Sequence, residues 1–220
     1  MKKVRTIAVI LVLVMCAALL TGCGSKVPAK DLVQGNLDAV YLGKFSSDYL
    51  KLVGSNEEKA KDDYETGIDN EVEYFAAYFN IDLDMCDDDI RDEIADLYHE
   101  IYAKSKYEVG SETGSDDKYL VELTVYPIDI FQKVNDDDAD NFNAMWQARI
   151  DDGDFNDMSD EEYEEAWANA IIDLVKSRIS TIGYLDPQTI SVQVTKDDDG
   201  VYSIDEGDFQ RIDMLMIQYP

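Results

Sequence analysis

Three oxygen-bearing side chains at alternate positions, Asp152, Asp154 and Asn156, make the sharpest chemical pattern in this 220-residue sequence. Alternating carboxylates and amides in a loop can converge on one hard cation, and calcium loops begin with this spacing. Asp160 falls at the ninth position of the same frame. The pattern then departs from a complete loop. Asp157 stands where the sharp turn needs glycine, and Tyr163 stands where a bidentate glutamate closes the shell. A second frame sets Asp197, Asp199, Gly200 and Glu206 at positions three, five, six and twelve, with Thr195 in place of the leading aspartate. Calcium held by Asp152, Asp154, Asn156 and Asp160 is therefore the one metal site to be tested, and no other cofactor is expected. The plainer reading of both segments is a helix cap and an acidic hairpin turn.

Other catalytic constellations are thin. His99 is the single histidine, which excludes a zinc site built from several imidazoles. No G-x-S-x-G elbow, G-x-G-x-x-G turn or phosphate-cradling loop occurs. Two carboxylates with split pKa values could hydrolyse a glycoside, but 48 Asp and Glu make chance proximity common. Cys86 lies among Asp84, Asp87, Asp88 and Asp89, whose charges disfavour a thiolate, so it reads as an inert thiol. The 14 tyrosines offer more. Tyr98, Tyr102, Tyr107 and Tyr119 crowd around one helix and the hairpin after it, with Tyr126 and Tyr202 nearby. They are candidates for a binding groove, since a phenol joins an apolar ring to a polar tip. The alternative is a half-buried helix–sheet junction.

The elements that must position these groups follow from hydrophobic spacing. Leu32, Val33, Leu37, Val40 and Tyr41 share one helical face. Ser55 to Glu58 reads as a capping box ahead of Tyr64, Ile68, Val72, Phe75 and Phe79. Asp87 is placed to cap a third helix bearing Ile90, Ile94, Leu97, Tyr98 and Ile101. The period then changes to two. Tyr107 and Val109, then Tyr119, Val121, Leu123 and Val125, predict a hairpin turning near Gly114 and ended by Pro127. Helical spacing resumes from Ile130 to Ile150, with a possible break at Asp136–Asp138, and again after the capping box Ser159 to Glu162. A second hairpin follows, with Ile190, Val192 and Val194 alternating and a turn at Asp197–Gly200. Phe209, Ile212, Leu215 and Met216 predict a terminal helix. Strands apolar on one face and polar on the other belong to an antiparallel sheet. The expected fold class is α+β in two layers: about four antiparallel strands in two hairpins, with helices packed on one face.

Composition narrows the partners. The formal charge is −29, with 19 Lys and Arg against 48 acidic residues. Such a surface repels phosphate, so nucleic acid is excluded, and a charged partner should be cationic: a metal ion, a basic peptide or an envelope protein with a basic patch.

The N-terminus carries its own signal. Lys2, Lys3 and Arg5 precede an uncharged run from Ile7 to Leu20, and Leu20-Thr21-Gly22-Cys23 follows. The run is short for a membrane span but suits a signal peptide. Leu20 to Cys23 resembles the lipobox of bacterial lipoproteins. That resemblance implies cleavage before Cys23, diacylglycerol and palmitate-type acylation at Cys23, and anchorage of the chain to the extracytoplasmic face of the cell membrane. Expected boundaries are therefore residues 1–22 for the signal peptide, 23–30 for the lipidated cysteine and tether, and 31–220 for one α+β domain. Seven residues from Gly24 to Lys30 reach at most about 25 Å, which keeps the body close to the membrane.

The mature chain also resembles uncharacterised lipoproteins of Gram-positive Firmicutes. The matching stretches are Asp31 to Ala39 (DLVQGNLDA), Pro127 to Lys133 (PIDIFQK) and Ile182 to Pro187 (IGYLDP). That resemblance implies a location and no activity. The leading expectation is a non-catalytic binding or interaction domain, which requires an apolar or tyrosine-lined groove free of carboxylates with raised pKa. Its alternatives are a calcium-responsive scaffold and a carboxylate-dependent hydrolase. The last requires two acids facing each other in the main pocket.

Overall fold

The computed structural model describes residues 29–220 apart from Asp116 and Asp198–Gly200, together with the backbone alone at Asp137. The expected signal peptide, Cys23 and the expected tether as far as Pro28 lie outside the described residues.

Chain order is helical, then β, then helical, then β, then helical. Helix α1 (Ala29–Leu42) is followed by a short α2 (Ser47–Leu52), the long α3 (Glu57–Phe79) and α4 (Asp88–Tyr102). Strands β1 (Lys106–Ser115) and β2 (Lys118–Tyr126) form the first hairpin. Helix α5 (Ile130–Lys133), a π-helical turn (Val134–Asp138), α6 (Ala139–Asp152) and α7 (Asp160–Arg178) lead to β3 (Gln188–Lys196) and β4 (Tyr202–Ile204), and α8 (Glu206–Met216) follows. The four strands make one antiparallel sheet in the order β1-β2-β3-β4. The protein is thus α+β, as the change of hydrophobic period predicts.

Pleating sends alternate side chains to opposite faces. Val121, Leu123, Val125, Ile190, Val192 and Val194 are all buried on one face. Glu122 and Ser191, opposite each other across the β2–β3 pair, are exposed on the other. Helices α1 and α8 pack on the apolar face, α1 over β1 and β2, α8 over β2 and β3. Behind them α3 packs on α4 and α1, and α7 packs on α4. Phe75, Ile94, Leu97, Tyr98 and Ile101 are completely buried in this second tier.

Local chemistry sets the ends. Ser159 accepts from the Glu162 amide, and the Glu162 carboxylate accepts from the Ser159 amide at 2.7 Å, so the predicted capping box is formed. At α3 the register differs by one residue: Asn56, not Ser55, accepts from the Lys59 amide at 2.9 Å. Both side chains can cap, but only Asn56 sits in extended geometry directly before the first helical residue. Helix α2 was not legible from spacing, because its six residues span too few turns to show a period. Its Ser46 cap, accepting from the Tyr49 amide, holds it in place.

Candidate functional site

Two features stand out, on either side of one aromatic wall. The first is a groove between the end of α3, the π-helical turn, α6 and α7, enclosing about 240 Å³. Tyr78, Phe79, Phe131, Phe142 and Trp167 supply its aromatic surface, and Asn80, Asn135 and Asn143 add carboxamides. None of the described lining residues is charged, in a chain whose charged fraction is 30%.

Sequence explains how these side chains are held. Asn80 ends α3 in the left-handed conformation, with φ of 59°, a geometry Asn tolerates better than most residues. The π-helical turn coincides with the acidic break expected at Asp136–Asp138 and carries Asn135 to the rim. Arg178 grips this turn through two charge-assisted bonds to Asp138, with Nε to Oδ2 at 2.6 Å. Trp167 is fixed by its indole N–H, which donates to the Phe79 carbonyl at 3.1 Å. Phe142 in turn lies 5.5 Å from the Trp167 ring. A small, preformed concavity with apolar walls and a few oriented polar groups is the usual form of a ligand site.

The second feature is a carboxylate pair surrounded by phenols. Glu71 of α3 and Asp213 of α8 are both half-buried and close enough to repel each other. The Tyr102 hydroxyl donates to Glu71 Oε1 at 2.6 Å, and the Tyr41 hydroxyl donates to Asp213 Oδ1 at 3.2 Å. Tyr98 and Tyr219 bond each other through their hydroxyls beside them. Among the described residues no Lys, Arg or His makes an ion pair with either acid. Burial, reinforced by Asp213, therefore pushes the Glu71 carboxyl up to about 8, against the smaller opposing pull of the Tyr102 bond. Burial raises Asp213 as well. It raises Tyr41, Tyr98, Tyr102 and Tyr219 far enough that all four remain hydroxyl donors at neutral pH.

The four tyrosines proposed from sequence are thereby divided. Tyr98 and Tyr102 belong to the acid–phenol cluster. Tyr107, on β1, donates to Asp38 of α1 at 2.6 Å at the cluster's margin. Tyr119 is not part of it: it pairs in register with Gly114 and Val194 at the other end of the hairpin, six residues along β2 from the partner of Tyr107, and its ring lies 6.1 Å from Tyr202. Six strand residues span about 20 Å. Spacing alone missed Tyr41, Glu71, Asp213 and Tyr219, because four separate elements bring them together. It missed the groove for the same reason.

The calcium pattern resolves into caps. Asp152 is the last residue of α6, and Gly153 ends the helix with φ of 81°. Asp154 is answered by Arg149 Nε at 3.1 Å. The Asn156 amide folds back over Gly153, and Asp160 opens α7 behind the Ser159 cap. Among the described residues no three of His, Cys, Asp and Glu gather as metal ligands, Asp152, Asp154 and Asp160 included. Arg149 engages Asp154, and the chain here ends one helix and begins the next. Of the second frame, Asp198–Gly200 lie outside the described residues; Asp197 accepts from the Val201 amide at 2.8 Å. His99 sits on the flank of α4, with Nε2 3.1 Å from Glu65 and its ring stacked on Tyr64. Burial and then Glu164, Glu165, Asp82 and Asp87 push the Cys86 thiol up to about 11.

Among the described residues no helix is long and apolar enough to cross a membrane. No sequence among curated proteins matches this chain. Its fold is similar to that in a crystal structure of YcdA from Bacillus subtilis strain 168, provisionally described as a lipoprotein, with a TM-score of 0.60 and 19% identity. The alignment covers 86% of this chain and 56% of that one, so the chain spans little more than half the length of its structural neighbour. At that identity the likeness concerns the fold. The match to a family model is nearly end to end, over residues 25–218, and the chain belongs to the family described as domain of unknown function DUF5105.

Proposed function

We propose that this protein is a lipid-anchored, extracytoplasmic binding protein, and that the groove beside Trp167 receives a small neutral ligand with a flat apolar face and hydrogen-bonding edges. The anchor is Cys23, read from the positive start, the uncharged run and Leu20-Thr21-Gly22-Cys23. The provisional lipoprotein description of the structural neighbour agrees with it.

One observation carries the binding reading: an uncharged lining in a strongly acidic chain. A cation would be drawn to the acidic surface rather than to this lining, and an anion would be repelled by the net charge. Aromatic walls favour a ring or a flat aliphatic face, and carboxamides both donate and accept. At 240 Å³ the space suits one ring better than a drug-sized molecule, whose pockets run from about 300 to 1,000 Å³. The two acids that a hydrolase would need lie outside this lining, which favours binding over turnover.

The test uses tryptophan emission, since Trp167 forms part of the wall. Titration of the chain without its signal peptide with two neutral ring-bearing probes, N-acetylphenylalaninamide and N-acetylglucosamine, should give a saturable change with at least one. Ala139→Glu, which places a charge in the lining, should abolish it. A change that never saturates with either probe, or one indifferent to Ala139→Glu, refutes the groove. Mass spectrometry of the native protein tests the anchor: a diacylated Cys23 at the N-terminus is expected, and an intact leader or an unmodified cysteine refutes it.

A further inference from the structure

The acid pair and the groove are mechanically joined. Tyr219, which follows α8, stacks on Phe131 with ring centroids 4.2 Å apart and lies 4.8 Å from Tyr78. Tyr78 also donates from its hydroxyl to the Pro220 carbonyl at 3.0 Å. Phe131 and Tyr78 are both walls of the groove. The residues that brace these walls follow directly on α8, which carries Asp213 toward Glu71.

We propose that one proton held between Glu71 and Asp213 latches α8 and the residues after it onto α3 and α4, and that loss of this proton loosens the groove walls that Tyr219 braces. The groups facing the pair come from every neighbouring element: Tyr41 from α1, Tyr74 beside Tyr219 on α3, Tyr98 and Tyr102 from α4, Tyr107 from β1 close to Tyr41, and Tyr219 itself. These are phenols; Asp38 of α1, which accepts from Tyr107 at the margin, adds a carboxylate, and none of these groups can supply positive charge. With one proton present, a single negative charge is shared and the phenols donate to it. With none, two carboxylates repel in a poorly solvated space between α3 and α8.

The sign follows from linkage. An opened segment returns Glu71 to water, where its carboxyl titrates near the ordinary 4.5, while in the closed protein it is held up to about 8. Opening therefore releases a proton and is favoured as pH rises between these values. Other contacts resist it, among them the Ile128 amide donating to the Met216 carbonyl at 2.9 Å, so the segment loosens while the sheet stays folded.

Only the last link, from walls to ligand, rests on the groove as a binding site, so the test uses no ligand. Amide exchange over residues 206–220, corrected for intrinsic rates, should quicken by about tenfold per pH unit between pH 6 and 8, the slope for one released proton. Exchange in β2 and β3 should not follow. Trp167 emission should shift over the same range. In Glu71→Gln both changes should vanish; should that variant fold poorly, Asp213→Asn, which leaves Glu71 held up by burial alone, should reduce both. A flat profile in the wild type, a profile left unchanged in a folded variant, or tail loosening with no response from Trp167 would overturn the latch. Absence of any ligand for the groove would leave these results standing.

Discussion

Replacing Glu71 by glutamine should make the protein more stable at pH 8 and leave it nearly unchanged at pH 5. Glutamine keeps the length of the side chain and an oxygen for the Tyr102 hydroxyl, so packing and the 2.6 Å bond persist. What it removes is a carboxyl whose folded-state pKa is raised from 4.5 to about 8. A group raised in this way adds stability that is complete below about pH 4.5 and is lost as pH climbs through about 8. At roughly 1.4 kcal/mol for each pH unit, a fully sealed group would lose nearly 5 kcal/mol over that interval. Glu71 keeps part of its surface in water, which lowers the expected difference to about 2 kcal/mol. Urea unfolding followed by tryptophan emission at the two pH values measures it. The high net charge also weakens the folded state at alkaline pH, but it does so in both proteins and cancels in the comparison. A variant equal to or weaker than the wild type at pH 8 would refute the burial argument, and so would a wild type that gains stability from pH 5 to 8 relative to the variant.

Two further outcomes follow from packing and charge. Gly35→Ala should destabilise the protein by about 1–2 kcal/mol in the same urea assay, because a methyl there would lie 2.4 to 2.8 Å from three atoms of the Tyr49 side chain; the helix-propensity gain of about 1 kcal/mol is smaller than a typical overpacking cost of about 1–3 kcal/mol. Adding Tyr49→Ala should make the alanine at 35 harmless or favourable, and a neutral single variant would refute the contact. Cys86 should react with iodoacetamide at pH 7 far more slowly than free cysteine, with the rate still rising toward pH 11, where its thiol titrates; a rate levelling off near pH 9 would contradict that environment.

Legibility from sequence tracked the range of the interaction. The strands were readable because alternation such as Val121, Leu123, Val125 reports burial on one face directly. The Ser159 box was readable because its partners are three residues apart. The Asp152 segment was ambiguous because the same oxygen-bearing residues serve both cation loops and helix caps, and spacing does not show Arg149 folding back from α6 onto Asp154. Tyr98 and Tyr102 were grouped with Tyr107 and Tyr119 because all four lie near one helix and the hairpin after it, and nearness along the chain does not separate Tyr119 at the far end of that hairpin. Glu71 and Asp213 were lost among 48 acidic residues, since nothing local distinguishes a carboxylate that will be enclosed from one that stays in water. Gly35 was visible only as part of a recurring stretch; its reason, the Tyr49 ring lying across it, comes from a different helix.

The order β1-β2-β3-β4 sets a timetable for biosynthesis. Strand β2 finds β1 at once, across a tight turn, but its other edge pairs with β3 from Lys118–Thr195 to Val125–Gln188. The roughly sixty residues between them keep that half-finished edge waiting until β3 has also been delivered, N-terminus first. On the proposed export, a chain held part-way through α6 or α7 as it leaves the membrane would present an open template for cross-pairing that the finished sheet does not.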